Sequence, residues 1–262
     1  MCHVPTARPP ELPICGGATT AEARDVVLRA SDGTRFGAYL VRTTPGGGAG
    51  IVILPDVRGL HPFYKDLARR FGEAGVHAVA IDYFGRTAGV GDRGEDFDHM
   101  AHVRQTRPEQ IALDVAAAVA HLRSDEDGEA ARVYTVGFCF GGRQSFNQAA
   151  RGHGLDGVIG FYGSVAAKPP YPEETAPVRL ATAYECAVLG LFGGADQGIS
   201  RDEVEASREA LDAASVTNEI VVYEGAPHSF FDRAYEQHRE ACDDAWTRIM
   251  RFVSGGQAPQ PG

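Results

Sequence analysis

The sequence predicts an α/β chain: one mixed, mostly parallel, twisted sheet of about eight strands with helices on both faces. An opening hairpin is followed by repeated alternation of strand-like and helix-like segments, the pattern of a layered α/β domain. Several strand candidates are continuous apolar, β-branched runs rather than alternating ones, as in strands covered on both faces. The 262 residues include 44% hydrophobic ones, ample for a core without disulfide or metal staples.

The elements follow in chain order. Val26–Arg29 and Phe36–Leu40 flank the turn Ser31-Asp32-Gly33-Thr34 and read as a hairpin. Gly46-Gly47-Gly48 marks a second turn, and Ile51–Leu54 a buried strand. Phe63, Leu67, Phe71 and Ala74 recur at helical spacing before the strand Val76–Ile81. Ile111, Val115, Val119 and Leu122 form a helix stripe with Pro108 near its start. Strands are then expected at Val133–Gly137, Gly157–Phe161, Val188–Phe192 and Ile220–Tyr223, with helices after Gly141 and over about 202–214. Cys242, Trp246, Ile249 and Val253 mark a last helix. Residues 1–20 are expected as an extended arm, 21–253 as a single domain and 254–262 as a loose tail. The stretches Thr87–Thr106 and Lys168–Pro177 are expected to be irregular and to roof a site.

Charge and cysteine usage narrow the function. The formal net charge of −10, with no basic stripe, opposes phosphate backbones and anionic lipid, so neither nucleic acid nor membrane is an expected partner. No run approaches the roughly 18 apolar residues of a membrane span. Five scattered cysteines (Cys2, Cys15, Cys139, Cys186 and Cys242) form no disulfide framework, and a reducing cytoplasm is the expected compartment. Cys2-His3 lacks further ligands nearby, so no metal and no cofactor is expected.

In open α/β sheets ligands bind beyond the carboxyl ends of the strands, and three of those ends carry suggestive residues. Gly137-Phe138-Cys139-Phe140-Gly141-Gly142 has the frame Gly-x-nucleophile-x-Gly with cysteine in the nucleophile slot. A sharp strand-to-helix turn needs side-chain-free neighbours, and the following helix N-terminus favours a thiolate. Asp196 follows Phe192-Gly193-Gly194-Ala195, and His228 follows the last strand in Gly225-Ala226-Pro227-His228-Ser229-Phe230. Each has an ordinary alternative: a small buried cysteine, a turn aspartate, a surface histidine. Together, spaced 57 and 32 residues apart, they run nucleophile, acid, histidine, the chain order of α/β-hydrolases.

These motifs, with Phe36-Gly37-Ala38 and Asp82-Tyr83-Phe84-Gly85-Arg86, resemble the dienelactone hydrolase (carboxymethylenebutenolidase) family over about 26–253. The resemblance implies an α/β-hydrolase fold with Cys139 as nucleophile, His228 as base and Asp196 as acid. It implies backbone N–H groups of Val57 and Phe140 as oxyanion donors, and Asp56 in the slot of a family glutamate that contacts the resting thiol. The family clamps a substrate carboxylate with two arginines. Here Asp232 occupies one expected arginine slot, Arg233 lies one place beyond it, and Arg58 and Arg86 are the substitutes at strand ends. Tyr83, Phe84, Tyr162 and Phe230 are candidate pocket-lining residues, with core packing as the alternative, the preferred one for Tyr162. The expected activity is hydrolysis of a small ester or lactone, carboxylate-bearing or not, through an acyl-thioester, by a monomer or homodimer. Two other readings stay open: a hydrolase-fold binding protein whose Cys139 is merely oxidisable, and an esterase for longer acyl substrates.

Overall fold

In the computed structural model, residues 9–10, 20–44, 48–93, 97–124, 129–167 and 172–255 are described. Cys2, Cys15, most of the expected N-terminal arm and the tail from residue 256 lie outside them.

Eight strands form one sheet: β1 Thr20–Arg29, β2 Arg35–Thr44, β3 Ala49–Leu54, β4 His77–Ile81, β5 Arg132–Phe138, β6 Gly157–Phe161, β7 Ala187–Gly193 and β8 Asn218–Tyr223. Their spatial order is β1-β2-β4-β3-β5-β6-β7-β8. β1 and β2 are antiparallel, β2 and β4 antiparallel, and every pairing from β4 to β8 is parallel. This is the α/β-hydrolase arrangement. β3 and β4 are buried at every position, as their unbroken apolar runs require of strands covered on both faces.

The principal helices are α1 Pro62–Glu73, α4 Pro108–Leu122, α5 Phe140–Gln148, α7 Arg201–Ala213 and α8 Arg239–Val253. Shorter ones are α2 Gly85–Ala88, α3 His99–Val103 and α6 Pro177–Leu180. α1 begins where its sequence says it should: proline at the first position, where no intrahelical N–H is needed, and His61 Nδ1 accepting from Phe63 N at 3.3 Å. It buries Phe63, Leu67 and Phe71. α8 packs on the same region, with the Trp246 ring 4.9 Å from that of Phe71 and 5.9 Å from that of Phe231. Trp246 Nε1 donates to the Pro10 carbonyl at 3.3 Å, which ties one point of the N-terminal segment to the domain.

Two loop expectations need correction. Thr87–Thr106 is not wholly irregular: Asp98 caps α3, and the His102 ring stacks on Phe97 at 4.7 Å. The Arg93–Asp82 ion pair (2.7 Å) anchors this stretch to the end of β4. At the other roof segment, whose residues 168–171 lie outside the description, Pro177 starts a helix rather than ending structure. Glu203 and Arg143 moor that segment from below. Glu203 Oε1 accepts from Ser164 Oγ (2.8 Å), Val165 N (2.9 Å) and Ala166 N (3.2 Å). Arg143 donates to the carbonyls of Ser164, Ala166 and Thr175.

Candidate active site

The register of the sheet brings the ends of β3 and β5 level, with Leu54 opposite Gly137. Cys139 then sits at the turn between β5 and α5 with φ 56° and ψ −112°, a backbone conformation that costs energy for any residue with a Cβ. Its neighbours explain how the chain closes there. A Cβ on Gly137 would collide with the backbone of Gly141, and one on Gly141 with the carbonyl oxygens of Leu54 and Pro55. The second contact seats the loop after β3 against the first turn of α5. Val57 lies on that loop, and Phe140, which directly follows the cysteine, is the first residue of α5. Cys139 N donates to Phe161 O at 3.0 Å and its carbonyl accepts from Arg143 N at 3.2 Å, so the strained turn is held on both sides.

The loops after β7 and β8 are joined to each other. Gly194 N donates to Tyr223 O at 2.8 Å and Ala195 N to Ala226 O at 3.0 Å. They carry Asp196 and His228, whose Oδ2 and Nδ1 are 2.6 Å apart. Gly198 N donates to Asp196 Oδ1 at 2.8 Å, fixing the second oxygen. The carboxylate is 2% exposed and the imidazole 33%. Burial alone would raise the Asp196 pKa, but the hydrogen bond and charge of His228, with backbone donors, hold it below the ordinary range. Burial alone would lower that of His228. Hydrogen bonds to Asp196 and to the Cys139 sulfur, with the attraction of both groups, instead raise it to about 10. Sulfur, imidazole and carboxylate thus form one continuous line. Tyr162, with its ring 4.9 Å from that of His228, packs against this line.

Asp56 is paired with Arg58 two residues on. Its Oδ1 accepts from Arg58 N at 2.8 Å and from Arg58 Nε at 3.0 Å, and Oδ2 lies 2.8 Å from Arg58 Nη2. The shorter side chain closes a turn on its own neighbour, with Gly59 N donating to Asp56 O at 3.1 Å. Arg58 Nη2 also pairs with Asp232 Oδ2. Burial would lower the Arg58 pKa, but Tyr64, Asp56 and Asp232 hold it above its usual value. Burial raises that of Asp232, with Asp56 opposing its ionisation and Arg58 favouring it. The backbone of this loop hangs on two buried phenols. Tyr64 Oη accepts from Asp56 N at 3.0 Å, and Tyr83 Oη donates to Asp56 O at 3.0 Å.

Several expected substrate contacts turn elsewhere. Arg86 pairs with Asp114 (2.8 Å) and Asp32 (2.5 Å), tying α2 to α4 and to the β1–β2 turn, so it is structural. Tyr83, Phe84 and Phe230 are 1%, 0% and 0% exposed. They are core residues: Phe84 packs on Phe97 (5.7 Å) and Phe230 on Tyr223 (5.1 Å). Arg233 is half-buried and donates to Ser229 Oγ at 3.0 Å. Burial pushes the thiols of Cys186 and Cys242 up to about 12, which leaves neither reactive at neutral pH. Among the described residues no group of three or more His, Cys, Asp or Glu side chains is placed to hold a metal, and no helix is long and apolar enough to cross a membrane. Sequence reasoning missed Tyr64 as the support of the Asp56 loop. Its position on the buried stripe of α1, one residue after Phe63, was the available signal.

Comparison with known proteins gives one consistent result. The sequence profile of the Dienelactone hydrolase family matches residues 36–255. The Salmonella typhimurium protein named "Putative carboxymethylenebutenolidase" is 30% identical over 227 residues, covering 86% of this chain and 84% of its own length. The carboxymethylenebutenolidase of Rhodococcus opacus is 29% identical over 260 residues, 96% of each chain. The crystal structure of a "Putative Dienelactone Hydrolase" from Klebsiella pneumoniae superposes with a TM-score of 0.80 at 29% identity, covering 90% of this chain and 99% of that one.

Proposed function

The chain belongs to the dienelactone hydrolase family of carboxylic ester hydrolases, and from that premise we propose that it cleaves small esters or lactones through Cys139, His228 and Asp196. The observation that carries this reading is the line from Asp196 through His228 to the Cys139 sulfur, beside the first turn of α5.

The chemistry follows from that line. His228, oriented by Asp196, holds the proton of Cys139, and the thiolate attacks the ester carbonyl. The tetrahedral oxyanion is met by the backbone N–H groups of Val57 and Phe140, each such donor being worth about 10²–10³ in rate. The N-terminal end of α5 adds its partial positive charge on the same side. Collapse expels the alcohol or opens the lactone, with His228 returning the proton to the leaving oxygen. That leaves an acyl-thioester on Cys139, which water, deprotonated by His228, then hydrolyses. A thiolate leaves more readily than an alkoxide, so collapse goes forward best with stabilised leaving groups. Enol lactones and aryl or other activated esters therefore fit this nucleophile better than amides.

The test is hydrolysis of p-nitrophenyl acetate by the unaltered protein and by Cys139→Ala. Loss of nearly all turnover in the variant is expected. Equal rates would remove the sulfur from the mechanism.

A further inference from the structure

In the loop after β3 the protein itself takes up the backbone N–H groups of Asp56, Arg58 and Gly59. Asp56 N donates to Tyr64 Oη at 3.0 Å, Arg58 N to Asp56 Oδ1 at 2.8 Å and Gly59 N to Asp56 O at 3.1 Å. The N–H of Val57, between them, meets no acceptor among the described residues. Val57 is also the only residue of 51–60 that is not buried. A donor left over at the part-exposed point of an otherwise buried loop stays available to a ligand.

The direction of that N–H is set by a peptide plane. It shares the plane with the Asp56 carbonyl, and across a trans peptide the two point opposite ways. Tyr83, 1% exposed, donates its hydroxyl proton to the Asp56 carbonyl at 3.0 Å, so the carbonyl faces the core and the Val57 N–H faces away from it. The same hydroxyl donates to Pro55 O, while Tyr64 holds the N–H at the other side of that peptide. Tyr83 also supports the neighbouring element. Its ring packs edge-on against that of Phe140 at 5.4 Å, and Pro55 O is one of the two oxygens against which Gly141 is seated. Burial foremost, with Asp56 adding to it, pushes both phenols well above their ordinary value, so Tyr83 keeps the proton it donates.

Resting on the hydrolase reading, we propose that Tyr83, with Tyr64 beside it, is a positioning residue for the oxyanion: it fixes the direction of the Val57 N–H and the seating of that donor relative to Phe140. Both phenols act through the backbone rather than on substrate. Without the Tyr83 hydroxyl, the Asp56 carbonyl keeps only Gly59 N, and Pro55 O loses the donor that side chain supplied. The Asp56–Val57 peptide is then free to turn. A hydrogen bond to a developing oxyanion weakens steeply as its donor turns away, so the loss falls on the transition state.

The experiment separates two reactions of one sulfur. p-Nitrophenyl acetate acylates Cys139 through a tetrahedral oxyanion, whereas iodoacetamide alkylates it by displacing iodide from a methylene carbon, with no oxyanion formed. The kcat/KM of the first and the second-order rate constant of the second are measured for the unaltered protein, Tyr83→Phe and Tyr64→Phe, with folding checked by circular dichroism. In Tyr83→Phe the proposal expects kcat/KM to fall about 10–100-fold, part of the worth of one oxyanion donor, while alkylation stays within about threefold. Tyr64→Phe should shift the same way. Acylation at the unaltered rate in folded Tyr83→Phe overturns the proposal, and so does an equal fall in both reactions, the mark of a merely structural role. No fall in folded Tyr64→Phe overturns the part given to Tyr64. Amide hydrogen exchange on the unaltered protein tests the grip without any substitution: Val57 should exchange fast and Asp56 slowly. An Asp56 amide that exchanges as fast as that of Val57 overturns the proposal even if neither variant folds. If the unaltered protein shows no turnover above a Cys139→Ala blank, the hydrolase reading itself fails and takes the proposal with it.

Discussion

Replacing Asp196 by asparagine changes one atom and reverses the proton logic of the site. Gly198 N donates to Asp196 Oδ1 at 2.8 Å, so an asparagine there keeps its carbonyl oxygen facing that donor. Its NH₂ group then occupies the place of Oδ2, 2.6 Å from His228 Nδ1. A donor facing Nδ1 forces that nitrogen to accept, which puts the ring proton on Nε2 and deprives the sulfur of its base. The variant also loses the hydrogen bond and charge that raise the His228 pKa to about 10, so that value falls toward the ordinary range. The side chain keeps its volume at a site 2% exposed, so the fold is expected to survive. The rate cost is on the order of 10³–10⁴ in kcat/KM, about 4–5.5 kcal/mol of transition-state stabilisation. Steady-state hydrolysis of p-nitrophenyl acetate measures the rate, and imidazole nitrogen resonances report the tautomer and its titration. A variant within tenfold of the unaltered protein, with Nδ1 still protonated, would refute the assignment of Asp196.

Four further outcomes follow from the same geometry. Gly141→Ala drives a methyl group into the carbonyl oxygens of Leu54 and Pro55, and should lower stability by about 1–3 kcal/mol or more in urea unfolding while disturbing the Val57 loop. Glu203→Ala should cost about 2–4 kcal/mol in the same assay, because the buried Val165 N–H, the half-buried Ala166 N–H and the Ser164 hydroxyl lose their acceptor. The pKa of His228 is raised on folding, from 6.5 to about 10, so its contribution to stability is complete below about pH 6.5 and is lost as pH rises through about 10. The urea midpoint should therefore fall over that interval, and fall less in His228→Gln. Iodoacetamide at neutral pH, followed by peptide mapping of the folded protein, should label Cys139 and spare Cys186 and Cys242, whose thiols lie at about 12.

The inner strands β3 to β7 were legible because burial on both faces writes itself as unbroken apolar runs. Gly157–Phe161 is observed as expected, and the other strand candidates extend by a few residues or, at β4, begin one residue later. The three ends that carry Cys139, Asp196 and His228 were legible for the same reason, since a parallel sheet points its carboxyl ends to one side. Side-chain direction was not. Phe230 lies two residues after His228, yet one is sealed in the core and the other is part-exposed, because the tight turn at Ser229 (φ 60°) breaks any simple alternation. Arg86 looked free because its partners, Asp32 and Asp114, are 54 and 28 residues away in sequence. The Asp56–Arg58 pairing had a local signature that could have been read. In Asp56-Val57-Arg58-Gly59, an aspartate opens a turn closed by a glycine at φ 71°, a setting in which the carboxylate takes the N–H two residues on. α3 lay hidden in a polar stretch because its support comes from stacking of Phe97 on His102 and from the Arg93–Asp82 pair, neither of which has helical periodicity.

What most directly tests the proposed chemistry is the covalent intermediate. The protein is mixed with p-nitrophenyl acetate, quenched in acid within the first turnovers and digested for mass spectrometry. One acetyl group on the peptide containing Cys139, absent from Cys139→Ala and accumulating in His228→Gln if deacylation is slowed more than acylation, is the predicted result. Turnover at the full rate with the acetyl group on another residue, or undiminished in Cys139→Ala, would contradict it.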